Sequence, residues 1–346
     1  MKIKMLRRKF NQGTGSLGSA VGILAFLLIV PLTILVLPEN SGAKDWPTKP
    51  ITLINPFSVG GSTDLVARIL APKMSEILGV SVQVVSKPGA GGITANLEVV
   101  KSPPDGYTLL MDSNSGSSIQ YACLENLPYK LEERTYINRV TTNPGALIVP
   151  ESSPWKTVED LVNALRTNPS SITMAMVSGV TATDINVLQF RAALMAKGVD
   201  VSKTRIVSFP KGSGEVVVAQ AGGHVDAGFS GIPTSSSLIS AGKLRALAVT
   251  GAGRYKRWPN VPTMAEVGFP SVDCIYWIGL SGPPGLPANI AKIVDNTVRE
   301  ALSAPDVIDK LDRIGANLAY QPSDVHRKFV FDEAEAIKSI KLKLKR

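Results

Sequence analysis

The chain has 346 residues, 44% apolar and 19% charged, a balance that excludes a disordered protein and is enough for a sizeable core. Two cysteines and two histidines are too few for a disulfide scaffold or a multi-ligand zinc site. The net charge of +9 comes from the two ends, so the nearly neutral chain between them lacks the basic face of a nucleic-acid binder.

The N-terminal 43 residues have the pattern of a signal peptide. Five basic side chains precede an apolar run at 20–37, and the small residues 41–43 predict cleavage after Ala43. An uncleaved membrane anchor is the alternative, but Pro31 divides the run and leaves it short for a bilayer span. Arg7-Arg8 leaves the twin-arginine route open beside general secretion. Export would place Cys123 and Cys274 in an oxidising compartment, where we favour buried thiols over a disulfide.

Strands and helices alternate in the first part of the mature chain. We predict strands at 51–56, 82–85 and 107–111, and helices at 63–78 and shortly after residue 92. Pro72 lies inside the first helical pattern and should kink or split that helix.

The alternation resumes after residue 146. We predict strands at 146–149, 172–177, 205–209, 225–229 and 244–249, with helices at 184–196, 215–221 and 236–241 between them. Thr157 and Asp160 have capping-box spacing at a further helix start. An apolar stretch at 275–280 reads as a strand, and helices at 287–303, 305–314 and 323–342 complete the chain. Two blocks of β–α units indicate an α/β protein with two lobes.

Four turns rich in small residues follow predicted strands, at 58–64, 88–94, 178–183 and 211–214. Helix N-termini present unpaired N–H groups and attract anions, and ligands bind at the carboxyl ends of parallel strands. The turns at 58–64 and 178–183, one in each block, therefore predict an anion-binding cleft between the lobes.

Known catalytic patterns are missing. The sequence contains neither G-x-x-x-x-G-K-[ST] nor G-x-S-x-G, which argues against a phosphate loop and a nucleophile elbow. We interpret His224 and His326 as surface or turn residues, and Asp64 and Asp184 as helix-start residues rather than a catalytic pair. An enzyme acting on a carboxylate in the same cleft remains an alternative, but it needs a nucleophile or base that the sequence does not display.

Seven motifs together resemble one family. They are WPxKPI at 46–51, PFxxGGSTDxxAR at 56–68, KPGAGG at 87–92, PDGYTLL at 104–110, AGKLRALAVT at 241–250, VPTxxExG at 261–268 and WxGL at 277–280. In this order they are similar to the Bug (TctC-like) proteins, the substrate-binding components of tripartite tricarboxylate transporters.

The resemblance implies a periplasmic binding protein of the type II, Venus-flytrap form, with a parallel-rich mixed sheet in each lobe. The lobes would comprise residues 45–145 plus 271–346, and residues 146–270. It implies a small carboxylate ligand, held by backbone amides and hydroxyls, and a membrane permease as partner. It further implies a monomer with no cofactor, metal or nucleic acid and no catalysis. Some relatives are sensors, so a membrane-tethered carboxylate sensor is an alternative.

The resemblance also suggests which residues contact the ligand. The candidates are Phe57, Ser58, Gly61, Ser62, Asp64, Ala90, Gly91, Gly92, Ser113, Ser115, Ser178, Thr181, Thr183, Ser213 and Ser230. This sequence departs from the family pattern in several ligand loops: Ser58-Val59 replaces a small residue and Pro, and Ser86 replaces an Asn. The identity of the carboxylate is therefore not predicted.

Overall fold

The computed structural model describes residues 46–344, with side chains described through 338. The predicted signal peptide lies outside these residues. Within them no helix is both long and apolar enough to cross a membrane.

Lobe 1 is built from two separate stretches of the chain. The first stretch supplies β1 (Ile51–Asn55), α1 (Ser62–Leu78), β2 (Val82–Ser86), α2 (Ile93–Lys101), β3 (Thr108–Ser113), α3 (Ser118–Cys123) and β4 (Thr135–Asn143). The second stretch supplies β10 (Tyr276–Gly282), α8 (Ala288–Ala301), α9 (Pro305–Ile314), β11 (Asn317–Pro322) and α10 (Ser323–Leu344). Short 3₁₀ turns at Ala90–Gly92 and Asn114–Gly116 precede α2 and α3.

Lobe 2 is formed by the chain between these stretches. Its elements are β5 (Gly145–Pro150), α4 (Val158–Thr167), β6 (Thr173–Met176), α5 (Ala182–Ala196), β7 (Arg205–Ser208), α6 (Ser213–Ala221), β8 (Ala227–Gly231), α7 (Ile232–Ser240) and β9 (Leu244–Val249), with a 3₁₀ turn at Pro169–Ser171 before β6.

Both sheets are mixed. The six-stranded sheet of lobe 1 has the order β11-β4-β10-β3-β1-β2, and its parallel pairs join β1 to β2 and to β3. The five-stranded sheet of lobe 2 has the order β7-β6-β8-β5-β9, with β6 parallel to β7 and β8. The remaining neighbours are antiparallel. The α/β, two-lobed class expected from the sequence is confirmed.

Helix α1 remains continuous across Pro72, so the predicted split was wrong. Its inner face, including Val66, Leu70 and Met74, is completely buried in the core of lobe 1. Burial of several large apolar side chains on one face stabilises this helix by more than a single missing N–H bond costs.

The helix start predicted at Thr157 is confirmed. Its hydroxyl accepts a hydrogen bond from Asp160 N at 3.1 Å, and the Asp160 carboxylate accepts one from Thr157 N at 2.9 Å. This capping box begins α4, whose apolar face packs into the core of lobe 2.

Two local predictions were corrected by the structure. His326 is completely buried rather than on the surface, because its ring lies edge-on to Trp277 at 4.6 Å and to Tyr136 at 6.0 Å. Cys123 and Cys274 are thiols, as favoured, but both are half-buried rather than buried.

The chain crosses between the lobes at residues 143–145 and again between β9 and β10. Thr250 joins the two crossings, because its hydroxyl accepts from Gly145 N at 2.8 Å and donates to Cys274 O at 3.3 Å. Asn186 Nδ2 of α5 donates to the same Cys274 carbonyl at 3.0 Å. Both crossings are therefore fixed to each other at one point.

Candidate ligand-binding cleft

A small cavity lies where loops from the two lobes meet. It is lined by Phe57, Ser62, Thr63, Ser115, Val177, Thr181, Thr183, Ser213, Gly231 and Tyr276. The space in which a water molecule can be centred measures only about 30 Å³. The two lobes are therefore nearly closed on each other. The lining consists of hydroxyl, backbone and apolar groups, without a charged side chain among these residues.

The lobe 1 side of the cavity is formed by the start of α1. Gly61 precedes the helix and has no side chain to cap it, so the N–H groups of Ser62, Thr63 and Asp64 have no acceptor among the described residues. Such groups, with the positive end of the helix dipole, attract an anion. The start of this 17-residue helix is therefore an open anion-binding position.

Asp64 does not compete for that position. Its carboxylate faces the scaffold of lobe 1, where Arg68 Nε donates to it at 2.9 Å, Ser86 Oγ at 3.1 Å and Gly60 N at 3.0 Å. Arg68 and Gly60 donate to Oδ2, whereas Ser86 donates to Oδ1, from which Asn55 Nδ2 lies 3.4 Å away. Asp64 therefore holds the loop in shape, and Arg68 compensates its charge.

The lobe 2 side has a different arrangement. Asp184 accepts hydrogen bonds from the backbone N–H groups of Val177, Ser178, Gly179 and Thr181, at 2.6 to 3.0 Å. Asp184 N in turn donates to the Thr181 hydroxyl at 3.3 Å. This loop therefore satisfies most of its own N–H groups, and the start of α5 is largely capped.

Hydrogen bonds join the two lobes around the cavity. Ser62 Oγ lies 2.7 Å from Thr234 Oγ1, and Ala182 N donates to Ser115 Oγ at 3.1 Å. Ser58 N donates to Lys211 O at 2.7 Å. These contacts run from lobe 1 to lobe 2, so the cavity is enclosed from several sides.

A buried ion pair supports Ser115. Arg134 and Asp112 are both fully buried and paired at 2.9 Å, and Arg134 also donates to Ser117 Oγ at 2.9 Å. The turn that carries Ser115 is thereby fixed at the end of β3.

The predicted ligand residues fall into two groups. Six of them line the cavity: Phe57, Ser62, Ser115, Thr181, Thr183 and Ser213. The other nine are not among its lining residues: Ser58, Gly61, Asp64, Ala90, Gly91, Gly92, Ser113, Ser178 and Ser230.

The nine residues that do not line the cavity have distinct positions. Gly91 of lobe 1 meets Ser178 of lobe 2, since a Cβ on Gly91 would lie 2.4 Å from Ser178 Oγ. Gly92 packs against the Phe57 ring. Ser113 and Ser230 are completely buried at strand ends, and Ala90 is exposed.

Four lining residues were not among the predicted ones: Thr63, Val177, Gly231 and Tyr276. Thr63 belongs to the small-residue turn at 58–64, and Val177 directly precedes the small-residue turn at 178–183. Tyr276 comes from β10, far away in the chain, and it reaches the cavity through the pairing of β10 with β4, where Tyr276 lies opposite Asn143, and with β3. Burial raises the pKa of its hydroxyl, which therefore remains protonated.

The described residues contain no cluster of three or more His, Cys, Asp or Glu side chains suited to a metal ion. The cavity instead offers N–H and O–H donors in an enclosed space. Such a site is suited to bind an anion or a neutral polar molecule without a metal.

Comparison with known proteins gives a consistent result. The model of the tripartite tricarboxylate transporter family receptor matches residues 66–345. BugT of Bordetella pertussis is 31% identical over 297 residues, which are 85% of this chain and 88% of BugT.

Solved structures agree with this match. MatC from Rhodopseudomonas palustris with bound malate has a TM-score of 0.78 and 26% identity, covering 85% of this chain and 99% of MatC. A second R. palustris protein, with adipate, has a TM-score of 0.78 and 28% identity, covering 86% of this chain and 97% of its own. The resemblance to Bug proteins is thus confirmed, and the chain belongs to the tripartite tricarboxylate transporter receptor family, whose members are periplasmic solute-binding proteins.

Proposed function

We propose that this protein captures a small carboxylate between its lobes and delivers it to the permease of a tripartite tricarboxylate transporter. The observation that carries the proposal is the start of α1, where three N–H groups lie beside the hydroxyls of an enclosed cavity and have no acceptor in the part of the chain that the structure describes. A carboxylate oxygen accepts such hydrogen bonds, and an anion at a helix N-terminus is stabilised by the dipole.

The relatives support this class of ligand. MatC holds malate and the second R. palustris protein holds adipate, and both acids carry two carboxylates. The family description, a receptor of a tripartite tricarboxylate transporter, supports delivery to a permease. We further propose that the signal peptide is cleaved near Ala43 and that the protein acts as a periplasmic monomer.

The proposed mechanism is closure of the two lobes, residues 45–145 plus 271–346 on one side and 146–270 on the other. The carboxylate first binds to α1 of lobe 1, and the loops of lobe 2 then cover it. The cross-lobe hydrogen bonds of Ser62, Ser58 and Ser115 support this model, because they form only when the lobes meet.

A thermal-shift panel tests the proposal. The purified protein is heated with citrate, C4 to C6 dicarboxylates, nicotinate, phthalates and acidic amino acids, with sugars and cationic amino acids as controls. A ligand of the folded state must raise the melting temperature once its concentration exceeds Kd. A shift confined to acids is expected, whereas shifts with sugars or cationic amino acids alone would contradict the proposal.

A pair of variants then locates the carboxylate. Ser62 is the first residue of α1, a position that tolerates proline, so Ser62→Pro removes its N–H and its hydroxyl while the helix can still form. Ser62→Ala is the matched control, because it removes the hydroxyl alone. We expect Ser62→Pro to bind the best acid at least about tenfold more weakly than Ser62→Ala, since a charged hydrogen bond contributes ~1.5–3 kcal/mol. Equal affinities, measured by calorimetry, would place the carboxylate elsewhere.

A further inference from the structure

The end of helix α9 in lobe 1 is capped by its own chain only in part. The last four C=O groups of a helix have no partner inside it. In α9, the N–H groups of the two residues that follow the helix donate to Asp312 O at 3.0 Å and to Leu311 O at 2.9 Å. The other two C=O groups, those of Arg313 and Ile314, take their donors from lobe 2.

Two side chains of lobe 2 complete this cap. Arg257 Nη1 donates to Arg313 O at 3.0 Å. Ser236 Oγ, in α7, donates to Ile314 O at 3.1 Å. Arg257 Nη2 also lies 3.4 Å from Asp312 Oδ2, so the guanidinium forms an ion pair across the lobes. The negative end of the α9 dipole attracts the same cation. We refer to these contacts between lobe 2 and the end of α9 as the α9 cap.

The turn after α9 fits closely against lobe 2. Gly315 has a φ of +81°, and a Cβ at this position would lie 2.6 Å from Ile232 Cγ2 and 2.6 Å from Tyr255 Oη. A side chain could not be placed there without displacing lobe 2. Glycine therefore permits both the backbone conformation of this turn and the close approach of the two lobes.

The α9 cap is separate from the ligand cavity, and α7 connects the two. Arg257 and Ser236 are not among the residues that line the cavity. Thr234, two residues before Ser236 in α7, has its hydroxyl 2.7 Å from Ser62 Oγ at the start of α1. One helix of lobe 2 thus contacts lobe 1 both at the cavity and at the end of α9. Closure of lobe 2 as a unit forms both contacts, so the free energy of the cap adds to that of closing over a ligand.

We propose that the α9 cap holds the lobes closed and that Arg257 is a positioning residue for ligand capture, which acts through lobe 2 without touching the ligand. The apparent affinity of a protein that binds tightly only when closed falls with the fraction of closed protein. Arg257 therefore tunes the affinity from outside the cavity. This inference rests on the lobe closure of the proposed function and adds a residue that sets the closure equilibrium.

Hydrogen exchange of the dialysed, ligand-free protein measures lobe opening. Ser58 N donates to Lys211 O, and Ala182 N donates to Ser115 Oγ. Both bonds cross between the lobes, so these amides exchange when the lobes part. Arg257→Ala should raise their exchange rates about fivefold, the effect of losing a partly exposed ion pair with its hydrogen bond. Arg257→Lys keeps the charge but not the fork of two nitrogens, so its rates should lie between those of Arg257→Ala and the natural protein.

Arg254→Ala is the matched control. Arg254 is about as exposed as Arg257, but its side chain donates to Glu266 at 3.0 Å and to Pro259 O at 2.9 Å, both within lobe 2. Its loss should leave both exchange rates within about twofold of those of the natural protein. Equal rates in the Arg257→Ala and Arg254→Ala proteins overturn the inference, and so do amides that are unprotected in the natural protein.

The exchange test is independent of the proposed ligand. Failure of every acid in the thermal-shift panel would leave the exchange rates decisive, and equal exchange rates would leave the proposed function intact. Calorimetry with malate and adipate adds a second readout. Whichever of these acids the natural protein binds should bind about fivefold more weakly to Arg257→Ala and within about twofold to Arg254→Ala. Equal falls in melting temperature with unchanged affinity in both variants would show a purely structural role and overturn the inference.

Gly315→Ala tests the close fit, with Gly79→Ala as its control. Both glycines follow helices of lobe 1 with positive φ, +81° and +70°, so alanine strains the backbone similarly at both. A Cβ meets lobe 2 at Gly315 and nothing within 4 Å at Gly79. Gly315→Ala should therefore raise the exchange rates of Ser58 N and Ala182 N about tenfold, because overpacking displaces lobe 2. Equal rates in the two alanine variants overturn the role of this turn in closure.

Discussion

The loops that begin α1 and α5 have the same chain layout but opposite hydrogen bonding. In lobe 2, Asp184 accepts from four backbone N–H groups of its own loop, so little remains for a ligand. In lobe 1, Asp64 is bonded mainly to side chains of the scaffold, and three N–H groups at the helix start have no acceptor within residues 46–344. The comparison supports the proposal that the carboxylate binds to lobe 1 and that the loops of lobe 2, which are already ordered by their own hydrogen bonds, cover it.

The largest expected effect comes from removing the two aspartates in turn. Asp184→Ala leaves four N–H groups without their acceptor, and a stranded buried donor costs ~1–3 kcal/mol, so unfolding free energy should fall by about 4 kcal/mol or more. Asp64→Ala should lower the free energy of unfolding by only roughly 2 kcal/mol, because the half-exposed Arg68 can form hydrogen bonds to water in place of Asp64. Urea denaturation of both variants measures their free energies of unfolding. An equal loss of stability in the two variants would contradict the conclusion that the four hydrogen bonds to Asp184 hold its loop in place.

The histidines extend the comparison to acid stability. His326 of lobe 1 is completely buried, and burial lowers its pKa to about 4, whereas His224 of lobe 2 is exposed. The folded state thus favours neutral His326. The contribution of this histidine to the free energy of unfolding is fully present above pH 6.5 and is lost as the pH falls from 6.5 towards 4. The expected loss is roughly 3 kcal/mol, at ~1.4 kcal/mol for each unit of pKa.

Urea titrations between pH 7 and pH 4 measure this loss. His326→Phe keeps an aromatic ring against Trp277 and should remove most of the pH dependence, whereas His224→Gln should preserve it. The difference between His326→Phe and the natural protein isolates the histidine, because the buried Glu333, whose pKa burial raises, titrates in both. Parallel pH profiles for the two proteins would show that His326 is not responsible.

The smallest effect concerns the contact between the lobes. Gly91 and Gly179 both have positive φ, +65° and +85°, so alanine at either position strains the backbone by ~1–2 kcal/mol. Only at Gly91 does a Cβ meet the opposite lobe, 2.4 Å from Ser178 Oγ, whereas a Cβ on Gly179 meets nothing within 4 Å. We expect Gly91→Ala to weaken binding of the best acid about tenfold and Gly179→Ala to leave it nearly unchanged. Similar affinities in calorimetry would mean that full closure is not needed for binding.

Local sequence signals predicted much of the fold. The capping box of Thr157 and Asp160 and the strand at 244–249 match the structure, because short-range patterns determine them. Strand β4 was not predicted, since its buried positions include Asn138, Thr141 and Asn143 instead of apolar residues. The two asparagines are tolerated there because Asn138 Nδ2 donates to Asp295 Oδ1 at 2.9 Å and Asn143 Nδ2 donates to Thr141 Oγ1 at 3.1 Å.

At the cavity, too, local patterns predicted some residues, whereas contacts between distant parts of the chain determine others. Phe57, Ser62 and Thr181 were predicted from turns that follow strands, and they do line the cavity, although their contact with a ligand stays a prediction. Tyr276 was read as part of an apolar strand, because its place at the cavity depends on the antiparallel pairing of β10 with β4, opposite Asn143, and with β3. The burial of His326 was missed for a related reason, since its neighbours Trp277 and Tyr136 are 49 or more positions away.

The Thr250 hydroxyl has a mechanical consequence. It is bonded to Gly145 in one crossing and to Cys274 in the other, so the two connecting segments cannot slide past each other while these bonds persist. We therefore expect the lobes to move relative to each other by rotation about an axis near Thr250. Displacement grows with distance from such an axis, so the loops around Ser58 and Lys211 should travel along an arc while the segment at Asn186 and Cys274 should stay almost stationary.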